Sequence, residues 1–318
     1  MGGLSLTSPK FWRGALPALS LTVVLLGVFW LQPRAMSYFG LNLLFNLAVP
    51  IALATIAQMF VIAVNDLDLS IGSFVSLVAC IGATWLRETP LLGLAALAGC
   101  IVVYAGIGAL IHLRQLPSIV VTLGMSFVWS GCAVLLLPTP GGTTPDWIRA
   151  MVTFKPPYIP FPIVASVLIA GVVYFGLMRT SWGAVLRGVG GNEKAMARAG
   201  WSILKLKMVM YSLTALFGIF AGLTLVGLTT SADANIALRY TLLSIAGVIL
   251  GGGEFVGGRV SPVGAVLGAM TLTLTASFLS FLRISPDWQI GAQGAILIIV
   301  LALRAIVNRL EARKLGGL

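Results

Sequence analysis

The stretch Thr180–Lys207, TSWGAVLRGVGGNEKAMARAGWSILKLK, decides how the chain is read. It carries Arg187, Lys194, Arg198, Lys205 and Lys207 against Glu193 alone, and Arg179 stands just before it. The sequence on either side is apolar, over 161–178 and again over 208–228. Each run approaches the roughly 20 residues an α-helix needs to cross a bilayer. A basic interval between two such runs marks a cytoplasmic loop of a helical membrane protein, because Lys and Arg are retained on that side.

Composition agrees. Of the 318 residues, 58% are hydrophobic and only 9% charged, and the mean hydropathy is +1.03. A soluble domain carries about 25% charged residues, so this chain has too little polar surface to cover a water-soluble globule. Long unbroken apolar runs, rather than alternation, exclude a transmembrane β-barrel. The net charge of +11 lies between apolar runs. It reads as a topology signal and not as a nucleic-acid-binding face.

Working outward, apolar cores fall at 15–31, 41–64, 71–86, 91–113, 119–137, 161–178, 208–228, 240–252, 263–282 and 288–306. The expected fold is all-α: a single transmembrane domain over residues 1–318 with about ten helices. The eighth core is short. Lys10 and Arg13 at the head, the 180–207 loop, and Arg304, Arg309, Arg313 and Lys314 at the tail should all be cytoplasmic. No small-residue cleavage site follows the first core, which is expected to remain as a span. The Pro-, Gly- and Thr-rich loop Pro138–Pro160 should lie outside. Spans 2–5 and 7–10 then form an inverted pair, and the interruptions at Asn65–Gly72 and Gly251–Gly258 read as its matching breaks, a pointer to a transport path.

Within the opening stretch, Asn192–Gly200 (NEKAMARAG) reads as a mini-helix of about seven residues, roughly 10 Å long. Asn192 suits the N-cap and Glu193 the positive end of the helix dipole. Arg198 suits the negative end and Gly200 the left-handed stop. A helix this short is marginal in water. Its small face of Ala195, Met196 and Ala199 is expected to dock on another protein.

Asn65-Asp66-Leu67-Asp68-Leu69-Ser70 places two acids between apolar runs. Such acids need water or partners. They read either as a turn at a pore mouth, with Asp68 or Ser70 capping the next helix, which makes Asn65, Asp66, Asp68 and Ser70 candidates for a translocation path, or as an ordinary solvated loop whose acids cap a helix. Glycines four apart at 247/251, 253/257, 218/222 and 264/268 read as close helix packing. His112 is the single histidine and is expected in a loop. Cys80, Cys100 and Cys132 read as small core residues. No catalytic constellation, metal-ligand set or phosphate-binding GxxxxGK[ST] pattern is present, so energy for transport is expected from elsewhere. A carrier driven by protons or sodium is the alternative, with Asp66 and Asp68 as the acids it would need.

Four stretches carry a resemblance: Asp68–Ser73 (DLSIGS), Leu116–Gly124 (LPSIVVTLG), Arg187–Gly200 (RGVGGNEKAMARAG) and Val248–Arg259 (VILGGGEFVGGR). Together, and in this order, they resemble the inner-membrane permease subunit of bacterial ABC sugar importers of the ribose type. The resemblance implies a multi-pass protein of the bacterial inner membrane with both termini cytoplasmic. It implies four kinds of partner: a second permease subunit, identical or not; two cytoplasmic ATPase domains; a periplasmic sugar-binding protein; and the bilayer. The chain itself would need no cofactor, since ATP and Mg would be held by the ATPase. The cargo would be a monosaccharide, a pentose, hexose or related sugar. In such permeases the loop matching Arg187–Gly200 provides the helix seated on the ATPase. This assigns coupling to Arg187, Gly190, Gly191, Asn192, Glu193, Lys194, Met196, Arg198 and Gly200, in agreement with the docking face read from the residues.

Overall fold

The computed structural model describes residues 9–255, 257–285 and isolated positions between 288 and 302. Among these the chain is helical, and its only sheet-like pairing is an isolated bridge between Gly141 and Ala232. In chain order the helices are α1 (Pro9–Leu31), α2 (Tyr38–Asn46), α3 (Ala48–Ile62), α4 (Ile71–Ala83), α5 (Trp85–Glu88), α6 (Pro90–Arg114) and α7 (Ser118–Leu136). They continue with α8 (Asp146–Val152), α9 (Phe161–Val173), α10 (Ser181–Gly191), α11 (Glu193–Arg198), α12 (Ile203–Thr229), α13 (Tyr240–Leu250) and α14 (Pro262–Phe281).

Among the described residues, six helical stretches are long and apolar enough to cross a membrane. A seventh is gained if α2 and α3, bent by 41° at Leu47, count as one span. Two further predicted cores, 15–31 and 240–252, form shorter apolar helices, and the tenth, 288–306, lies outside the described residues except at isolated positions. The α-helical membrane class therefore stands, with six or seven span-length stretches among the described residues.

Contacts sort the connections into two ends. At one end Asn65 meets Gly190 and Gly257, Leu67 meets Ser118, and Asp66 meets Lys207. At the other, Tyr38 meets Pro156, Thr143 meets Ala83, and Thr144 meets Thr230. The chain alternates between these ends in the order expected from its charges. Thr144 itself is buried, its hydroxyl donating to Val226 O at 2.7 Å.

The core is built on α3 and α4, whose residues are all buried, with α12 packed against α3, α4 and α6. Small residues allow this closeness. A Cβ on Gly222 would meet the Val78 side chain, and one on Gly218 the Phe74 ring. Gly247 of α13 and Gly251 at its C-terminal cap face Gly268 and Gly264 of α14 backbone to backbone, as the four-residue spacing predicts.

The element order matches the breaks differently from the expectation. After α3 the chain breaks at 63–70 and restarts as the short α4; after α12 it breaks at 230–239 and restarts as the short α13. The counterpart of Asn65–Gly72 is therefore the segment after Thr229, not Gly251–Gly258, which joins α13 to α14. The backbone marks the match. Non-glycine residues in the left-handed region follow the same helices of each half: Asn65 after α3 and Thr230 after α12, Gln115 after α6 and Arg283 after α14. The two restarts also meet. Gly72 N–H donates to Thr241 Oγ1 at 3.0 Å, and Ala237 N–H to Ser76 Oγ at 3.0 Å.

Candidate functional site

The mini-helix forms as α11, capped as its residues dictate. Asn192 Oδ1 accepts from Ala195 N–H at 3.0 Å, and Gly200 closes the helix at φ +89°. It does not stand alone. Ser181–Gly191, expected as loop, is the helix α10, with Gly183, Val185, Leu186, Val189 and Gly190 buried against the protein. Met196, expected on the docking face, packs its sulfur over Gly188 of α10. Lys194, Ala195, Ala197, Arg198 and Ala199 remain exposed, as do Arg187, Gly191 and Gly200. The free surface of α11 is thus small and basic.

His112 corrects a second expectation. It lies in the last turn of α6, not in a loop, with Nδ1 3.7 Å from Glu193 Oε1 at the start of α11. That distance exceeds a hydrogen bond. Cys132 is exposed on α7, unlike the buried Cys80 and Cys100. Glu254 is partly exposed, 3.5 Å from Arg259.

Residues 65–70 are not a solvated loop. Asp68 is fully buried, and its carboxylate accepts from Ser70 N–H at 2.7 Å, Ser70 Oγ at 2.6 Å and Tyr104 Oη at 3.0 Å. Ser70 directly precedes α4, so Asp68 finishes the turn into that helix. The broken backbone must find partners within the protein. Leu67 N–H donates to Ser118 Oγ and Leu69 N–H to Thr122 Oγ1, each at 3.1 Å. Thr122 Oγ1 donates to Leu67 O. Gln58, its amide turned so that both ends are satisfied, donates to Asp68 O at 3.0 Å and accepts from Asp68 N–H at 3.2 Å.

Asp66 pairs with Lys207 of α12 at 3.0 Å, the two side chains 9% and 8% exposed, and takes Tyr211 Oη at 3.4 Å. Burial raises the Asp66 carboxyl above its ordinary range, and the Lys207 ammonium opposes that rise. A cleft of about 320 Å³ opens beside this pair, lined by Asp66, Lys207, His112, Glu193, Gln115 and Ser118 among others. The sequence shows Lys207 only as one more loop cation, and nothing in it pairs Lys207 with an acid 141 positions earlier. Gln58, Tyr104 and Thr122 carry a fainter signal, as polar groups inside apolar runs.

A many-helix membrane protein, with the starts of two short helices meeting each other and a basic mini-helix exposed at one end, is built like a transport subunit. Comparison with known proteins names the family: residues 40–301 match the model of the branched-chain amino acid transport system / permease component, and the chain belongs to that family. It is similar to the ribose import permease of Escherichia coli K12, at 26% identity over 302 residues, covering 91% of this chain and 93% of the relative. It is similar to the ribose import permease of Bacillus subtilis 168 at 28%, covering 90% and 91%. The galactose/methyl galactoside import permease of Escherichia coli K12 matches at 26%, covering 90% and 92%. No solved structure matches the chain.

Proposed function

We propose that the chain is the translocating subunit of an ABC importer for a monosaccharide, lying in the bacterial inner membrane with α11 in the cytoplasm. ATP would be hydrolysed on a separate ATPase, and a binding protein outside would deliver the sugar. A second permease subunit would complete the path. The observation that carries the coupling reading is α11 itself. It is exposed, capped at both ends and held on α10 through Met196, and it presents Lys194 and Arg198 outward. Such a helix can be pressed as a rigid piece. The sugar assignment rests on the relatives, which align along nearly their whole length and are import permeases for ribose and galactose.

The ion-coupled alternative loses its support in the acids. Asp66 is paired with Lys207, and Asp68 takes three donors from its own chain. Neither is a free proton or sodium site. In this reading the 65–70 segment anchors the broken helix beside the path rather than lining it. The test is uptake of labelled ribose and labelled galactose by cells carrying the chain with its ATPase and binding protein. Arg198→Glu should abolish uptake while leaving the permease in the membrane. Uptake that persists without the ATPase and collapses with an ionophore would overturn the proposal.

A further inference from the structure

The two flanks of α11 lead to the same place. Upstream, Gly190 precedes the Asn192 cap, and its carbonyl accepts from Asn65 Nδ2 at 2.8 Å. Downstream, Lys207 sits in the second turn of α12 and reaches Asp66. A third element joins them, since Asn65 Oδ1 accepts from Gly257 N–H at 3.1 Å. The fit around Asn65 is backbone on backbone. A Cβ on Gly190 would collide with Gly258 and approach the Ala63 carbonyl. Asn65 itself takes φ 61°, a left-handed conformation that a short amide side chain tolerates better than most. Directly after this dipeptide come the bonds that hold the break to α3, α6 and α7, and the restart of α4 against α13.

We propose that Asn65-Asp66 is the joint that carries movement of α11 into the connection between α3 and α4, Asn65 taking it from the upstream flank through Gly190 and Asp66 from the downstream flank through Lys207. The proposal rests on the reading of α11 as the ATPase contact. With both flanks fixed to adjacent residues, a shift of α11 cannot be absorbed by its linkers alone. It must rotate or translate the start of the break, and with it the meeting point of α4 and α13. Asn65 and Asp66 are positioning residues in this scheme and touch no solute.

Asn65→Gly isolates the joint. Glycine accepts φ 61° without strain, so the substitution removes the two side-chain bonds and leaves the backbone path intact. Asn65→Asp is the companion: it keeps an acceptor for Gly257 N–H and loses the donor to Gly190. The measurement is amide exchange of the permease–ATPase complex in lipid nanodiscs, with and without ATP, read at 193–198 and at 63–72. In the parent, ATP should alter exchange at both segments. In both variants the change at 193–198 should persist and that at 63–72 should shrink, the Asp66–Lys207 link carrying what is left; with that pair also replaced, in Asn65→Gly/Asp66→Leu/Lys207→Met, the change at 63–72 should be lost. A parental ATP response at 63–72 in the triple variant Asn65→Gly/Asp66→Leu/Lys207→Met would overturn the joint while leaving the coupling role of α11 standing. Absence of any ATP response at 193–198 in the parent would overturn the coupling reading itself, and the joint with it.

Discussion

Lys207→Met should destabilise the protein by about 3–4 kcal/mol at pH 7, the cost of leaving buried Asp66 without its partner. Breaking a buried ion pair by removing one partner costs about 3–5 kcal/mol, because the other charge is left without compensation. Asp66 would keep only Tyr211 Oη, at 3.4 Å. It has an escape, which is to take up a proton. An unfolded carboxyl titrates near about 3.9, so neutralising it at pH 7 costs at most about 4 kcal/mol at 1.36 kcal/mol per unit, and this caps the loss. The sign of the pH dependence follows. With Lys207 gone, the folded-state carboxyl is raised above its unfolded value. Folding then binds a proton, and stability falls as pH rises. The deficit should be largest at neutral and alkaline pH. It should shrink by up to about 1.4 kcal/mol per unit as pH falls toward 5, where the protonated acid is cheaper to form. The assay is reversible denaturation of the purified permease in detergent micelles between pH 5 and 8, with the double variant Asp66→Leu/Lys207→Met as control. That double variant removes both charges and should return to within about 1 kcal/mol of the parent, since replacing a buried pair by apolar groups is often neutral. A single-variant loss under about 1 kcal/mol, or one that does not change with pH, would refute the reasoning.

Two further outcomes are expected. A cysteine at Tyr158, 90% exposed, should react with a membrane-impermeant thiol reagent added outside intact cells, and a cysteine at Ala197 on α11 only after the membrane is opened. The reverse pattern would invert the topology. Gly190→Ala should destabilise by more than the usual overpacking cost of about 1–3 kcal/mol, measured in the same denaturation assay, because its methyl group meets the backbone of Gly258 rather than a side chain that can turn away. A variant as stable as the parent would show that the 257–258 segment can move aside.

The class of fold was legible because hydropathy and charge act residue by residue. The runs at 91–113, 119–137 and 263–282 fall on α6, α7 and α14 with few shifts at their ends. The α11 caps were legible for the same reason: Asn192 and Gly200 act on their immediate neighbours. What escaped is what depends on distant partners. Asp66 reads as solvated until Lys207 is brought to it, and α10 reads as loop because its buried face of Val185, Leu186 and Val189 is small and interrupted by glycine. The Gly-rich run at 251–258 looks like a break of the inverted pair, whereas the true counterpart of 65–70 has the unremarkable sequence Thr230–Arg239. Its identity lies in backbone conformation and position, not composition.

The polar connection between α3 and α4 has a consequence for how the chain is made. Its polar groups are satisfied from α6, α7, α12 and α13, all synthesised after it. Asp66 waits 141 residues for Lys207, and Gly72 waits 169 for Thr241. Asp68 finds Ser70 and Gln58 at once, but Asp66 and the backbone N–H groups of Leu67, Leu69 and Gly72 enter the membrane unmatched, at a cost that lipid does not relieve. During biogenesis this hairpin must be sheltered by water or by the insertion machinery until α12 arrives. Completion of the chain, rather than entry of its first spans, is the step that seals the protein's interior.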